Sequence, residues 1–338
     1  MQLFSLLIAS ILLADIPFGV CAAASPPTSP SSPRPQIREL LGNTTFIENL
    51  HVRPNGQLLL SSVSTNSLYT LNPKAAIPAP VIVANLPNVT GLTGIATLDE
   101  SAGLFAVSGG IHFSMGFVNG SCAVYVVSLP GNSKTGKVVD RISVDGILNG
   151  MVSLPAYPHI VLSADSVGGQ IFRVNTRTRR VDVPISNPAL LGGGGNPSLP
   201  IGVNGLKIFG SYVYFTNSGL GTFGRVKIDR KGNKIGKIEI LARSAQDGGV
   251  VSRRNAWDDF DFDISGNAYV ALHAYSFVKI TPKLKQSTFY GGVGEYTTLW
   301  EPTAAAVSKK NPHLLYLATG GITINGTKHG GQLFEAKI

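Results

Sequence analysis

Charge, cysteine and helical periodicity are all scarce in this chain. Charged side chains occupy 14% of its 338 positions. Glycine, proline and β-branched residues are plentiful, a balance that suits short strands joined by tight turns. Only two cysteines occur, Cys21 and Cys122. Cys21 lies in an apolar N-terminal segment; once that segment is removed, Cys122 alone remains and an internal disulfide is excluded, so a large core must carry stability. No stretch beyond residue 36 keeps a convincing amphipathic helical period. The six histidines, His51, His112, His159, His273, His313 and His329, form neither HxH nor HExxH, which argues against a zinc site. No GxSxG elbow is present. Gly219 to Gly224 matches GxGxxG, but Arg225 to Ile228 reads as a strand where dinucleotide binding needs a helix.

What is present is a succession of short apolar or alternating runs, among them Gln57 to Val63, Ala123 to Ser128, Tyr212 to Asn217 and Ala268 to His273. Turn signals such as Asn55-Gly56 and Ser265-Gly266-Asn267 separate them. Aligning similar starts exposes a repeat. Its units open at Glu48, Thr93, Asn149, Asn204, Asp258 and Thr303, spaced by 45, 56, 55, 54 and 45 residues. Six units of this length predict an all-β fold, a six-bladed β-propeller of four-stranded blades. A pair of β-sandwiches would not predict a polar residue at each unit start. The last strand, near Gly331 to Ile338, is expected to close the ring against Ile37 to Leu41.

Domain boundaries follow. Residues 1–23 read as a signal peptide, with an apolar Leu3 to Leu13 and small residues at Cys21 to Ala24. Residues 24–36 form a Ser/Pro-rich leader expected to be disordered, and residues 37–338 form the propeller. Asp15 and Pro17 interrupt the apolar run and argue against a stable membrane anchor. Sequons at Asn43, Asn88, Asn119 and Asn325 fit a glycosylated chain, secreted or held in the secretory pathway. The net charge is +9, yet the basic residues are scattered along the chain with no aromatic-interleaved run. That argues against a nucleic-acid partner. Gly192 to Gly195, followed by Asn196-Pro197, reads as an inter-blade linker.

In a propeller, each unit start lies on an innermost strand near one end of the channel. Glu48, Asn149, Asn204 and Asp258 are therefore the candidate catalytic residues. As oxygen donors they are equally candidates for a hard cation such as calcium. The alternative is that they only hydrogen-bond the inner loops. Thr93 and Thr303 complete the ring as candidate binding residues. Phe113, Met115, Trp257, Phe260, Tyr275 and Phe277 are candidate apolar walls, with ordinary blade core the commoner role for such side chains. His112 and His273 fall near strand or loop ends and are candidate acid–base groups.

These residues also carry a resemblance. Glu48 in FIENLHVRPNGQLLLSS, Asn149 in LNGM, Asn204 in VNGLKIFGSYVYFTNS and Asp258 in WDDFDFDISGNAYVA are similar to the metal-surrounding residues of the gluconolactonase and senescence-marker-protein superfamily. The Asp258, Asp263 and Gly266 spacing resembles that superfamily's last metal-bearing strand. Where its members have Asp-Gly, this chain has Asp258-Asp259-Phe260, which argues against lactonase activity. The pattern ENL, NGQLL, LNGM, VNG, DDF and GNAYVA, with a final Thr-Ala-Ala strand, resembles a fungal secreted branch that includes hetero-Diels–Alderases. That resemblance implies a pericyclase that joins a tropolone o-quinone methide to a humulene-type sesquiterpene. Its partners would be small polyketide and terpene substrates, with no cofactor required. Two other readings stay open: a calcium-dependent lactonase or esterase, and a non-catalytic ligand-binding propeller.

Overall fold

The computed structural model describes residues 35–113, 116–193, 199–244, 251–252, 255–273, 275–292 and 299–338. The expected signal peptide, most of the leader, Met115 and part of the Gly192 to Pro197 linker lie outside the described residues. Among the described residues there is no α-helix, and one 3-10 turn, Pro188–Leu190, interrupts the strands. Six antiparallel sheets of four strands make six blades, with two short hairpins added. Inner strands open blades 1 to 5 at Asn49, Gly91, Leu148, Val203 and Trp257. Blade 6 is composite. Its strands Pro302–Val307, Leu314–Thr319 and Gly331–Lys337 come from the C-terminal end, and Ile37–Thr44 supplies its outer edge. Ile37 pairs with Ala336 and Thr44 with Gly331, which is the expected closure. The strand Thr222–Ile228 follows the GxGxxG segment, so no dinucleotide-binding helix forms there.

Each inner strand packs beside the next, and the sixth beside the first. The core is divided accordingly into six wedges, one between each pair of neighbouring blades. Phe223 of blade 4, for example, meets Phe260 of blade 5 edge-on at 5.1 Å. Hydroxyls stitch the wedges at their inner ends. Ser61 donates to the Thr93 carbonyl (2.6 Å), Ser166 to that of Val203 (2.8 Å) and Ser218 to that of Trp257 (2.7 Å).

One irregularity positions the site. In blades 2 to 6 the inner strand slips register at the unit start: between Leu92 and Ile95, Leu148 and Met151, Val203 and Leu206, Trp257 and Phe260, and Pro302 and Ala304. A bulge re-aims side chains that regular pleating would turn into a wedge. In blade 1 the pairing is regular, and Glu48 lies just before the strand, its N–H donating to the Ser61 carbonyl at 2.9 Å. The glycines within three of the bulges let neighbouring inner strands approach around the narrow axis. A Cβ on Gly94 would strike the Asn149 carbonyl, and one on Gly150 the Asn204 carbonyl.

Candidate active site at the channel mouth

The inner strands all start at the same end of the channel, and a cavity of about 610 Å³ opens there. Glu48, Thr93, Asn149, Asn204 and Asp258, from five blades, line it. Thr303 is not in the lining; its hydroxyl donates to the Ile47 carbonyl at 2.7 Å and ties blade 6 to blade 1. The Thr93 hydroxyl is likewise engaged, 3.0 Å from the Leu148 carbonyl and 2.8 Å from Ser108 Oγ. Both threonines therefore hold blades together, and Thr93 offers the cavity only the surface left over.

His273, Glu301, Ser166 and Ser218 complete the polar end of the cavity. His273 Nε2 lies 3.0 Å from Asp258 Oδ2, and its Nδ1 is 4.0 Å from Glu301 Oε1. Burial raises Asp258 above the usual carboxylate range, while the bond to His273 opposes that shift. Glu48 is pushed well above its ordinary value, first by burial and then by the Asp258, Asp259 and Glu301 carboxyls. Asn204 Nδ2 donates to Ser218 Oγ at 3.0 Å, which leaves the buried Asn204 Oδ1 without a hydrogen-bond partner among the described residues. An orphaned acceptor at this depth is costly unless a ligand meets it.

The walls are apolar but differ from those expected. Phe46, Phe113, Phe117, Leu199, Pro200 and Ile201 line the cavity. Phe113 and Phe117 belong to a short hairpin, His112–Phe113 with Gly116–Phe117, set over the mouth beside blade 2. Phe113 is half exposed, at 50%. Trp257 and Phe260 instead fill the wedge between blades 4 and 5, and Phe277 that between blades 5 and 6. Tyr275 sits on a mouth-end turn of blade 5, outside the lining, its carbonyl accepting from the Gly292 N–H at 3.0 Å. The expected wall thus shifts from blade 5 to the loops. Alternation explains the error: Trp257 and Phe260 flank the bulged pair Asp258-Asp259, so as that pair turns to the channel its neighbours turn to the wedge. The sequence named His112 and His273 as candidate acid–base groups and missed Glu301 and Phe46; no motif marks either of these two.

Asp259 also faces the channel, one step further in. It accepts from Asn49 Nδ2 and Lys207 Nζ, each at 2.7 Å. A polar network joining blades 1, 4 and 5 thus lies behind the cavity floor. Asp263, expected to follow the superfamily's metal-bearing pattern, instead caps its own turn by accepting the Ser265 and Asn267 N–H groups, each at 2.9 Å. Among the described residues no three His, Cys, Asp or Glu side chains group as metal ligands. A cation site would thus need the amide oxygens of Asn149 and Asn204 beside Glu48 and Asp258. The orphaned Asn204 Oδ1 and the crowd of carboxyls fit a hard, oxygen-seeking cation. The four sequon asparagines, Asn43, Asn88, Asn119 and Asn325, are exposed.

No family model matches the chain. It is 24% identical over 308 residues to a Sarocladium schorii protein provisionally named a hetero-Diels-Alderase, covering 81% of this chain and 75% of that one. A Phoma protein with the same provisional name is 24% identical over 309 residues, covering 83% and 85%. Among solved structures, a luciferin-regenerating enzyme superposes with a TM-score of 0.65 at 16% identity, over 90% of this chain and 95% of that one. A structure provisionally described as a gluconolactonase gives 0.57 at 13% identity, over 90% and 94%. The chain is a six-bladed β-propeller of gluconolactonase-like architecture, related along most of its sequence to proteins named as hetero-Diels-Alderases.

Proposed function

We propose that the chain catalyses a hetero-Diels–Alder cycloaddition in the mouth cavity. The observation that carries this reading is the cavity's two-part lining: a polar floor under apolar walls, in about 610 Å³. Small-molecule sites commonly measure about 300–1,000 Å³. The family resemblance implies a tropolone o-quinone methide as heterodiene and a humulene-type sesquiterpene as alkene. One C–C and one C–O bond form, three π bonds become one, and no atom or electron leaves. The protein therefore has little covalent work to do, and holding the partners in a reactive geometry supplies much of the rate. Phe113, Phe117 and Ile201 bury the alkene. Negative charge builds on the heterodiene oxygen, and donors on the floor stabilise it. Asn149 can supply an amide N–H. Glu48, held toward its neutral acid by burial, can supply an O–H. Asn204 Oδ1 accepts from a substrate hydroxyl. The apolar N-terminal segment and the four exposed sequon asparagines support a secretory route.

The orphaned Asn204 Oδ1 also favours a second reading, a calcium-dependent lactonase or esterase. Glu48, Asn149, Asn204 and Asp258 would hold the cation, which supplies Lewis-acid polarisation of a carbonyl. The chain incubated with humulene and a tropolone o-quinone methide generated in place separates the readings. Adduct formed above background, in one stereochemical series and unaffected by chelator, supports the cycloaddition. Calcium-dependent lactone or ester hydrolysis without adduct supports the second reading. Neither activity leaves a binding propeller.

A further inference from the structure

We propose that the face opposite the mouth docks reversibly on an anionic lipid bilayer, seating a phosphate headgroup in a cavity between blades 3 and 4. The basic residues, scattered in sequence, gather on this face. Each blade places an exposed Lys or Arg in or beside its far-end turns: Lys74, Lys134, Arg180, Lys231, Lys283 and Lys309 in blade order. Blades 3 to 6 each add at least one more. The acids there offset this only partly. Asp229 is held by the backbone of its own turn, accepting from the Lys231 and Asn233 N–H groups, and Glu100 pairs with Lys309 at 3.3 Å. At the mouth end, the exposed Lys and Arg in or beside the described turns are two, Arg243 at the end of a blade 4 strand and Lys328. Cations on all six blades face a plane of charge at once, whereas a linear polyanion is tracked by a stripe.

Two further features favour a lipid surface. Large apolar side chains stand out among the cations: Ile77 is 86% exposed, Ile264 74% and Leu284 44%, all on far-end turns. Water-exposed apolar tips in a basic field match the interfacial pattern, in which they enter the boundary between headgroups and acyl chains. The same face also holds a cavity of about 400 Å³, with Arg173, Arg180, Lys231 and His159 in its lining. Arg173 is fixed in its wall by a bidentate pair with Asp182 and by donation to the Lys231 carbonyl (2.7 Å) and Asn233 Oδ1 (2.8 Å). Arg180 and Lys231 are exposed beside it, placed to take a phosphate oxygen. In this orientation the mouth and all four sequon asparagines point away from the bilayer.

The test is co-sedimentation of the secreted chain with vesicles of phosphatidylcholine alone, or with phosphatidylserine added, at low and high salt. Binding is expected only with phosphatidylserine, and salt weakens it. Arg180→Glu with Lys231→Glu is expected to weaken it at least about tenfold. Ile77→Ser with Ile264→Ser is expected to weaken it severalfold, and both pairs of changes leave the melting temperature and the mouth activity unchanged. Short duplex DNA is run in parallel. The proposal is overturned by failure to sediment, by equal binding to phosphatidylcholine alone, or by equal binding to DNA together with indifference to the isoleucine changes.

Discussion

Lys207 Nζ lies 2.7 Å from Asp259 Oδ1 inside the channel, joining blade 4 to blade 5 just behind the cavity floor. The carboxylate is 2% exposed, and this partner and Asn49 supply its side-chain hydrogen bonds. Breaking a buried pair from one side typically costs about 3–5 kcal/mol. Lys207→Met is expected to lower the denaturant midpoint by an amount in that range. Adding Asp259→Asn, which removes the stranded charge, should recover most of the loss. If the double variant is no more stable than the single one, the pair is not what closes the channel.

Glu48 distinguishes the two chemistries of the floor. As a neutral acid it donates, and Glu48→Gln keeps a donor of similar shape. Glu48→Ala removes it, and loss of one positioned donor costs roughly 100- to 1,000-fold in rate. Single-turnover cycloaddition should therefore fall sharply in the alanine variant and only severalfold in the glutamine variant. As a cation ligand Glu48 must be ionised, and the two variants would then fail alike.

Phe113 contributes to the wall without supporting the core. Phe113→Ala should raise the concentration of alkene needed for half-maximal rate about tenfold, from lost apolar contact. Its melting temperature should match that of the unchanged protein. Phe260→Ala reverses the pattern: its ring fills a wedge, so its removal costs about 3–5 kcal/mol of stability.

His51, beyond the floor, sits 2.6 Å from Thr97 Oγ1, its pKa pushed down to about 3 by burial, with Lys309 and Lys207 adding. The unfolded chain takes up this proton near pH 6.5 and the folded chain only near 3, so the unfolded state binds more protons between those values. Stability is then complete above 6.5 and falls with pH by up to about 1.4 kcal/mol per unit. His51→Gln should flatten that slope in unfolding measured from pH 7 to pH 4. An unchanged slope would show that His51 already accepts a proton in the folded protein.

The six-fold repeat was legible because each blade must open with the same task. A polar residue turns to the axis, and a small or polar one after it lets the neighbouring blade approach. Glu48, Thr93, Asn149, Asn204 and Asp258 could be placed together from spacing alone. Ring closure by the last strand followed from the need to remove open edges. The aromatics were not legible in the same way. Phe260 and Phe113 look alike in sequence, yet one is enclosed by Phe223 and Phe262 while the other hangs over the mouth on a hairpin.

By itself the sequence determined the blade number and five polar residues of the mouth, because the unit starts recur at similar intervals, and the closing strand, because an open ring would leave bare edges. Tertiary structure alone decided the rest. Bulges chose which side chains face the channel and which face a wedge. Blade 5 brought His273 to Asp258, and the approach to blade 6 brought Glu301 near His273. The shared direction of all six inner strands carried Lys74, Lys134, Arg180, Lys231, Lys283 and Lys309 to one face. Residues this far apart become neighbours only in the assembled ring, and no local periodicity records which of them meet there.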